Sequence, residues 1–395
     1  MNKKNILIGI SGGIAAYKIA YLIRLFKKSN YNVRVVMTES ATKFISPVTI
    51  ETLSENPVST DTFSLDWSDQ KGFIPHIKNT DYADIFLLAP ATANILGKIA
   101  NGIADEILST TAIAIKNEIP KLVFPAMNIN MFENSINQMN IEKLRENGYE
   151  VFEPNEGELA CGIKAKGRLI PEKHIFQITE KYLNKQKLKG KKILVTSGAT
   201  LEPIDPVRYI TNHSSGKMGN SIARVCWKYG ADVDLVTGKY GEKEDLINQY
   251  FVDTVKNLWK KIDSLLSKRD YDYVVMASAV SDYKIKDIKN NKIKKTQKEL
   301  KLKLEKTRDI IESINDKYNV PIIGFAAETE NIEKNARKKL KDKNMMAVVA
   351  NDVSQKDIGF RSELNNCLII TDDKSIETGK ESKIEIAEEI VSLME

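Results

Sequence analysis

Residues 4–18 read KNILIGISGGIAAYK. A short apolar run gives way to Ser11, Gly12 and Gly13 and then resumes with apolar residues at helical spacing, the opening of a strand–turn–helix unit. In doubly wound sheets ligands lie beyond the carboxyl ends of the strands, where turn N–H groups and a helix amino terminus attract phosphate. Gly9, Ser11, Gly12 and Gly13 occupy that place. A similar opening, KKILVTSGATLEP, returns at residues 191–203.

Between these two openings the alternation continues. NILIGI, NVRVVM, DIFLLAP and KLVFPAM read as strands, each followed by a helical pattern over residues 14–28, 41–54, 93–100 and 136–147. After the second opening come KILVTSG, DVDLVTG, DYVVMASAV, PIIGFAAE, MAVVAND and NCLIIT, with helices expected near 217–229 and over 255–266. The stretch KYLNKQKLKGKK, residues 181–192, is rich in lysine and has no hydrophobic period. The expected fold class is therefore α/β: two open, mostly parallel doubly wound sheet domains in tandem, 1–184 and 191–395, joined by a linker at 185–190. A chain of 395 residues gives each domain enough length to bury its own core.

Composition narrows the function. The formal charge of +6 is mild, and the densest basic stretch, residues 284–306 with KIKKTQK, lacks interleaved aromatics. It reads as a solvated face or an anion-binding loop and not as a nucleic-acid surface. Within it ELKLKLEK, residues 299–306, alternates like a two-faced strand. No apolar run approaches the ~20 residues of a membrane span, and residues 1–10 lack a secretory pattern, so a cytosolic protein is expected. Cys161, Cys226 and Cys367 show no CxxC spacing, which disfavours a disulfide framework or structural zinc. Cys226 and Cys367 fall within helix and strand patterns and read as core, whereas His174, after PEK, reads as a capping or exposed residue at a helix start.

The first turn fails three motif tests. GxSGGxxA is a poor dinucleotide fingerprint, and Lys18 comes too late for a Walker A loop. GxSxG matches at residues 9–13, but a nucleophile elbow comes deep in its fold and this turn follows the first strand. Ser11 then reads as a phosphate ligand, and Thr38, at the end of the second strand, as another. Glu39 on a ribose hydroxyl, as in NAD enzymes, is disfavoured by the missing fingerprint.

More specific motifs follow. IPHIKN with His76, FPAMNINMF at 124–132 and ELACGIKAKGRL at 158–169 join SGGIAAYK and APATANILGKIANGIADEILST at 89–110. Across essentially the whole first half these resemble the flavin-dependent cysteine decarboxylases. Taken singly, His76 in a loop and a cysteine between alanine and glycine read as structural; together with PAMN they carry the resemblance. It implies that a hydride equivalent passes to FMN, that a thioaldehyde lets CO₂ leave, and that the resulting ene-thiol is reduced again. By motif His76 would be the base, Asn128 would hold the substrate carboxylate and Cys161 would donate a proton. Ser11, Gly12, Thr38, Ala91, Thr92 and Ser109 would contact FMN, with Met127 and Met131 near the flavin or in the core. Flavin sites in this family lie between subunits of a trimer, which implies a homo-oligomer.

In the second half TSGATLEP, DPVRYITNHSSGKMG at 205–219, ASAVSDY at 277–283, NKIKK at 291–295, GFAAET at 324–329 and ANDVS at 350–354 resemble phosphopantothenate–cysteine ligase. Both halves in this order resemble the bacterial bifunctional coenzyme A biosynthesis enzymes. The resemblance implies that CTP activates 4′-phosphopantothenate as an acyl cytidylate, with Mg²⁺ and lysines neutralising charge, before L-cysteine displaces CMP. Asn212 would hold the intermediate, Arg208 would assist the cysteine step and Lys292 would promote cytidylyl transfer. Asp282, Phe325, Lys339 and Lys343 would bind CTP, the two lysines projecting from a helix towards residues 350–353, and His213 would make a phosphate or backbone contact. CTP in place of ATP comes from the resemblance alone, and the metal ligands stay unassigned. A peptidyl-cysteine decarboxylase would leave the second half unexplained; a non-catalytic flavin-binding regulator would have no use for His76 with Cys161.

Overall fold

The computed structural model describes residues 3–63, 74–158, 164–295, 299–328, 330–352 and 362–395. The chain divides into two units, Met1–Lys185 and Gln186–Glu395. Among the described residues no helix is long and apolar enough to cross a membrane.

The first unit is built on β1 (Asn5–Ile10), β2 (Asn32–Met37), β3 (Val58–Ser59), β4 (Ile85–Ala91), β5 (Lys121–Pro125) and β6 (Tyr149–Val151). They pair in the order β3-β2-β1-β4-β5-β6, every pair parallel. The buried run from Ile6 to Ile10 marks β1 as a central strand covered on both faces. From β1 the chain builds outward through β2 to β3, then returns to lay β4 on the other side. That reversal opens a crevice beyond the carboxyl ends of β1 and β4, where Ser11 and Thr92 stand.

The helices are α1 (Ile19–Lys28), α2 (Glu39–Thr42), α3 (Pro47–Ser54), α4 (Pro75–Tyr82), α5 (Ala93–Ala100), α6 (Ile107–Ala114), α7 (Ile129–Phe132), α8 (Ser135–Glu146) and α9 (Glu172–Leu183). Several depart from the sequence pattern. The first helical stretch begins as a 3₁₀ turn, Ile14–Lys18. The helix expected over 41–54 is two helices, because Pro47 drives Ser46 into an extended conformation. Besides the one-turn α7, two longer helices escaped the periodicity. The buried side of α4 is Pro75, Asn79 and Thr80, which makes no apolar stripe. In α6 the buried residues Ile107, Leu108, Ser109, Thr111 and Ala112 occupy most of the circumference, so no period stands out. The stretch 181–192 also changes, since α9 continues to Leu183. An antiparallel hairpin, β7 (Asn155–Glu158) and β8 (Lys164–Arg168), completes the unit.

The second unit contains β9 (Lys192–Ser197), β10 (Leu201–Pro203), β11 (Tyr209–Thr211), β12 (Asp232–Gly238), β13 (Asn248–Val252), β14 (Tyr273–Met276), β15 (Tyr283–Ile285), β16 (Leu304–Lys306), β17 (Ile322–Glu328), β18 (Ala347–Asp352), β19 (Leu364–Asn365), β20 (Cys367–Ile370), β21 (Ser375–Glu377) and β22 (Glu381–Ser382). Its main sheet runs β13-β12-β9-β14-β17-β18-β20-β21, parallel as far as β18 and antiparallel beyond it. Helices α10 (Lys217–Lys228), α11 (Val255–Leu266), α12 (Ile310–Asn315), α13 (Ile332–Asp342) and α14 (Lys383–Ser392) cover it. Ile193 and Val195 of β9 pack towards α10 and α14, while Leu194 packs towards α11 and α13. Cys226 and Cys367 are buried in the first of these cores, as expected. The two-faced strand expected over 299–306 shrinks to β16, which pairs with β15.

Candidate active sites

At the first switch point a cleft of about 930 Å³ opens beyond β1 and β4. Its walls come from the β1 turn (Ser11, Gly12, Gly13), the β2 end (Thr38), the α5 start (Thr92) and the segment after β5 (Met127, Asn128, Met131). The size suits a ligand of nucleotide dimensions. The turn is fixed by close approach. A Cβ on Gly12 would fall 2.4 Å from the Ser40 Cβ and 2.9 Å from its carbonyl carbon. Among the described residues nothing accepts the N–H groups of Gly12, Gly13, Ile14 or Ala15. A row of unclaimed donors on such a turn suits a phosphate-bearing group.

Ser11 lines the cleft and also braces it. Its hydroxyl donates to the Pro90 carbonyl at 2.7 Å and accepts the Thr92 N–H at 3.0 Å. With 1 % of its surface exposed, it ties the β1 turn to the β4 turn. Thr38 caps α2, its Oγ1 accepting the Ala41 N–H at 3.1 Å. Asn128 caps α7 through Oδ1, which accepts the Asn130 N–H at 2.9 Å, and it lines the cleft. Met127 N–H donates to the Gly167 carbonyl at 2.9 Å and ties this segment to the β7–β8 hairpin.

Three expected residues do not line the cleft. Ala91 ends β4, where its carbonyl accepts the Ala126 N–H, and buried Ser109 donates to the Glu106 carbonyl at 3.2 Å. His76 lies in the first turn of α4 and not in a loop, with Nδ1 buried and without a partner among the described residues. Cys161 lies outside the described residues.

In the second unit the equivalent switch point lies between β9 and β14. The loop NHSSG turns into α10, with Gly216 at φ 80°. A Cβ there would meet the Ser197 Oγ at 2.8 Å, and one on Gly219 would meet the Thr196 carbonyl at 2.7 Å. These glycines let the helix start press onto β9. Asn212 Nδ2 donates to the Ala279 carbonyl at 3.0 Å, and the same carbonyl accepts the Thr200 N–H. Asn212 thus spans the β9 and β14 turns.

Asp205 organises the rest. Its Oδ1 accepts N–H groups from Val207 (2.8 Å) and Arg208 (2.9 Å), and its Oδ2 accepts the Ile293 N–H at 3.1 Å. The Arg208 guanidinium lies 3.4 Å from the same carboxylate and donates to the Ile293 carbonyl at 3.1 Å. Arg208 is therefore held against the segment carrying exposed Lys292. Burial raises the Asp205 pKa, but the three backbone donors and Arg208 outweigh it and hold the carboxyl below its usual range.

Phe325 lines a small cleft at the start of α10, and exposed Asp282 accepts the Thr307 N–H through its carbonyl. Lys339 and Lys343, expected to point towards residues 350–353, take other partners. Lys339 Nζ donates to the Phe325 carbonyl at 2.8 Å, and Lys343 Nζ pairs with Asp309 at 2.5 Å. Burial lowers the Lys339 pKa against the opposing pull of Glu328, Asp282 and Asp309. His213 is exposed beside Asn212.

Two family models account for nearly the whole chain: "Flavoprotein" over residues 1–184 and "DNA/pantothenate metabolism flavoprotein C-terminal domain" over 188–395. The chain is 39% identical to the coenzyme A biosynthesis bifunctional protein CoaBC of Bacillus subtilis, covering 99% of this chain and 96% of that one. It is 40% identical to the CoaBC protein of Borreliella burgdorferi, with 99% of both chains covered, and 37% identical to that of Escherichia coli over 92% and 90%. The chain belongs to the CoaBC family. The first unit is accordingly the flavoprotein unit of a CoaBC family member, and the second corresponds to the pantothenate-metabolism C-terminal domain.

Sequence reasoning missed Asp205, although it opens the quoted DPVRYI motif, because a carboxylate accepting backbone N–H groups leaves no periodic trace. It also missed Lys383, Asn351 and Asn365 on the small second cleft, since they come from three separate segments.

Proposed function

We infer that this chain converts 4′-phosphopantothenate and L-cysteine to 4′-phosphopantetheine in two steps, one in each unit. Membership of the CoaBC family makes it a bifunctional enzyme of coenzyme A biosynthesis with ligase and decarboxylase activities on pantothenate-derived substrates. The finer assignment places an FMN-dependent phosphopantothenoylcysteine decarboxylase in residues 1–184, a linker at 185–190 and a CTP-dependent phosphopantothenate–cysteine ligase in 191–395. The observation that carries it is the coexistence of two switch-point clefts in one chain, the first lined by Ser11, Gly12, Thr38, Thr92 and Asn128 and the second by the turn from Ser214 to Gly219 and by Phe325.

In the ligase unit Asn212 holds the acyl cytidylate through its amide, Arg208 assists the cysteine step and Lys292 promotes cytidylyl transfer, the last two standing on segments that Asp205 ties together. Asp282, Phe325, Lys339 and Lys343 hold CTP. Among the described residues no group of three His, Cys, Asp or Glu side chains could hold a metal. Mg²⁺ would neutralise charge on the nucleotide's phosphates.

In the decarboxylase unit Gly12, Thr38 and Thr92 shape the FMN cleft, with Ser11 bracing it and Ala91 and Ser109 supporting its walls. Bound flavin supplies the two-electron redox capacity that this substrate, lacking a carbonyl or imine sink, requires. Asn128 orients the carboxylate to be lost, His76 takes a proton and Cys161 returns one. Since His76 does not line its own unit's cleft, a trimer with the site between subunits would supply it from a second copy.

The deciding assay supplies purified protein with 4′-phosphopantothenate, cysteine, CTP and Mg²⁺ and follows products by mass. Pyrophosphate, CO₂ and 4′-phosphopantetheine are expected; absence of both pyrophosphate and CO₂ would refute the reading. Replacing CTP by ATP tests the nucleotide.

A further inference from the structure

Behind the wall of the second cleft lies a buried polar network that the ligase residues named above do not include. Ser197 ends β9, and its hydroxyl lies 2.6 Å from the Asn220 Oδ1 and 2.7 Å from the Gly216 carbonyl. One proton faces two acceptors, so the hydroxyl joins β9 both to the residue before α10 and to a side chain one turn into that helix. Ser214 to Gly219 line the cleft, and Asn220, the next residue, stands behind them at 2 % exposure.

Glu244, on the segment between β12 and β13, decides which way the Asn220 carboxamide faces. Asn220 Nδ2 donates to the Glu244 Oε1 at 2.9 Å and reaches the Glu242 carbonyl at 3.4 Å. Two acceptors on that side claim the amide N–H groups, which leaves the amide oxygen for Ser197. Glu244 is 8 % exposed and is itself fixed. Its carboxylate accepts Arg224 Nε at 2.9 Å and Arg224 Nη2 at 2.6 Å, a bidentate pair, and its N–H donates to the Gln249 Oε1 at 2.8 Å. Burial opposes the charge on Arg224, but Glu244 and Glu242 outweigh it and raise its pKa. A buried ion pair contributes little net stability, because desolvation offsets its attraction. What this one supplies is direction: without it the carboxamide is free to turn over and present a donor to Ser197.

We propose that Glu244, acting through Asn220, is a positioning residue for the ligase, holding the Ser197 turn and the Gly216–Gly219 helix start in the arrangement that the nucleotide step requires. The proposal rests on the ligase reading of this unit. Neither side chain touches substrate; both act on the backbone that shapes the cleft.

The test uses full-length Asn220→Ala, Glu244→Ala, the double variant and Glu244→Gln, whose side-chain oxygen still accepts the Asn220 amide. Pyrophosphate release gives kcat and KM for CTP, CO₂ release is followed separately on added 4′-phosphopantothenoylcysteine, and thermal unfolding checks the fold. A ~10-fold fall in kcat/KM for CTP is expected in Asn220→Ala and Glu244→Ala, with a smaller one in Glu244→Gln and normal CO₂ release throughout. Because the two residues act in series, the double variant should lose no more than the worse single one. Should Glu244→Ala not fold, the double variant is built with Glu244→Gln. Unchanged kcat/KM in a folded Asn220→Ala protein, losses that add in the double variant, or an equal loss of CO₂ release would reduce the network to a support of the fold and overturn the proposal, leaving the ligase reading intact. If the wild-type chain releases no pyrophosphate, the ligase reading falls and the positioning role falls with it.

Discussion

Single hydrogen bonds decide what several residues can do. The Ser11 hydroxyl is committed to Pro90 and Thr92, so it braces two turns and is no free nucleophile. Asn212 reaches the Ala279 carbonyl with an N–H donor that an aspartate would replace by a second acceptor. Asn212→Asp should therefore lower ligation by ~10²-fold while CO₂ release from added 4′-phosphopantothenoylcysteine stays normal; a variant with normal pyrophosphate release would remove Asn212 from the site. Asp205 acts through its neighbours, orienting Arg208 and the Lys292 segment. Asp205→Asn turns an amide N–H towards a backbone N–H and should lower ligation kcat by ~10- to 100-fold through misplacement alone. Its pH signature separates positioning from simple loss of charge. Because the folded carboxyl titrates below its usual range, it contributes stability that is present above about pH 4 and lost as pH falls through the folded value. Urea midpoints of Asp205→Asn should fall less between pH 5 and 3 than those of wild type; parallel curves would contradict this role.

Among the elements, the β7–β8 hairpin braces one wall of the first cleft. Gly167 has φ 138°, and a Cβ there would stand 2.2 Å from the Met127 carbonyl. Both the backbone conformation and the clash with another backbone forbid a side chain without movement. Gly167→Ala should cost about 1–3 kcal/mol and shift the segment that carries Asn128. Urea unfolding gives the cost, and flavin absorbance after gel filtration should show reduced retention. An unchanged midpoint with full flavin content would show that the hairpin does not hold the cleft wall. The same close approach governs α10, where Gly219 lets the helix start lie on Thr196 and Ser197.

At the scale of the whole molecule, the two activities should separate by unit. His76→Asn should abolish CO₂ release and leave pyrophosphate release intact; loss of both would contradict the division of labour. The trimer reading adds a sharper expectation. When inactive His76→Asn and inactive Asn128→Asp chains are mixed and allowed to exchange subunits, a site built from two copies regains CO₂ release in part. Failure of mixed oligomers to recover any activity would place both residues in one chain's site.

The sequence by itself determined two α/β units, their main strands, the glycine turns and the motifs that mark each site. Those features are local: alternation of apolar runs, glycines where backbone must approach closely, and short motifs on the turns after strands. It missed α4 and α6, whose buried faces are polar or nearly continuous, so no helical period shows. It also read His76 as a loop residue, whereas it stands in the first turn of α4. Only the tertiary structure decided that Asp205 ties Arg208 to the Lys292 segment, and that Lys217, Asn351, Asn365 and Lys383 share one cleft. The physical reason is separation along the chain. Charges and donors brought together from residues 205 to 293, or from 217 to 383, interact only once the parallel sheet has closed its crossovers, and no local pattern records that distance.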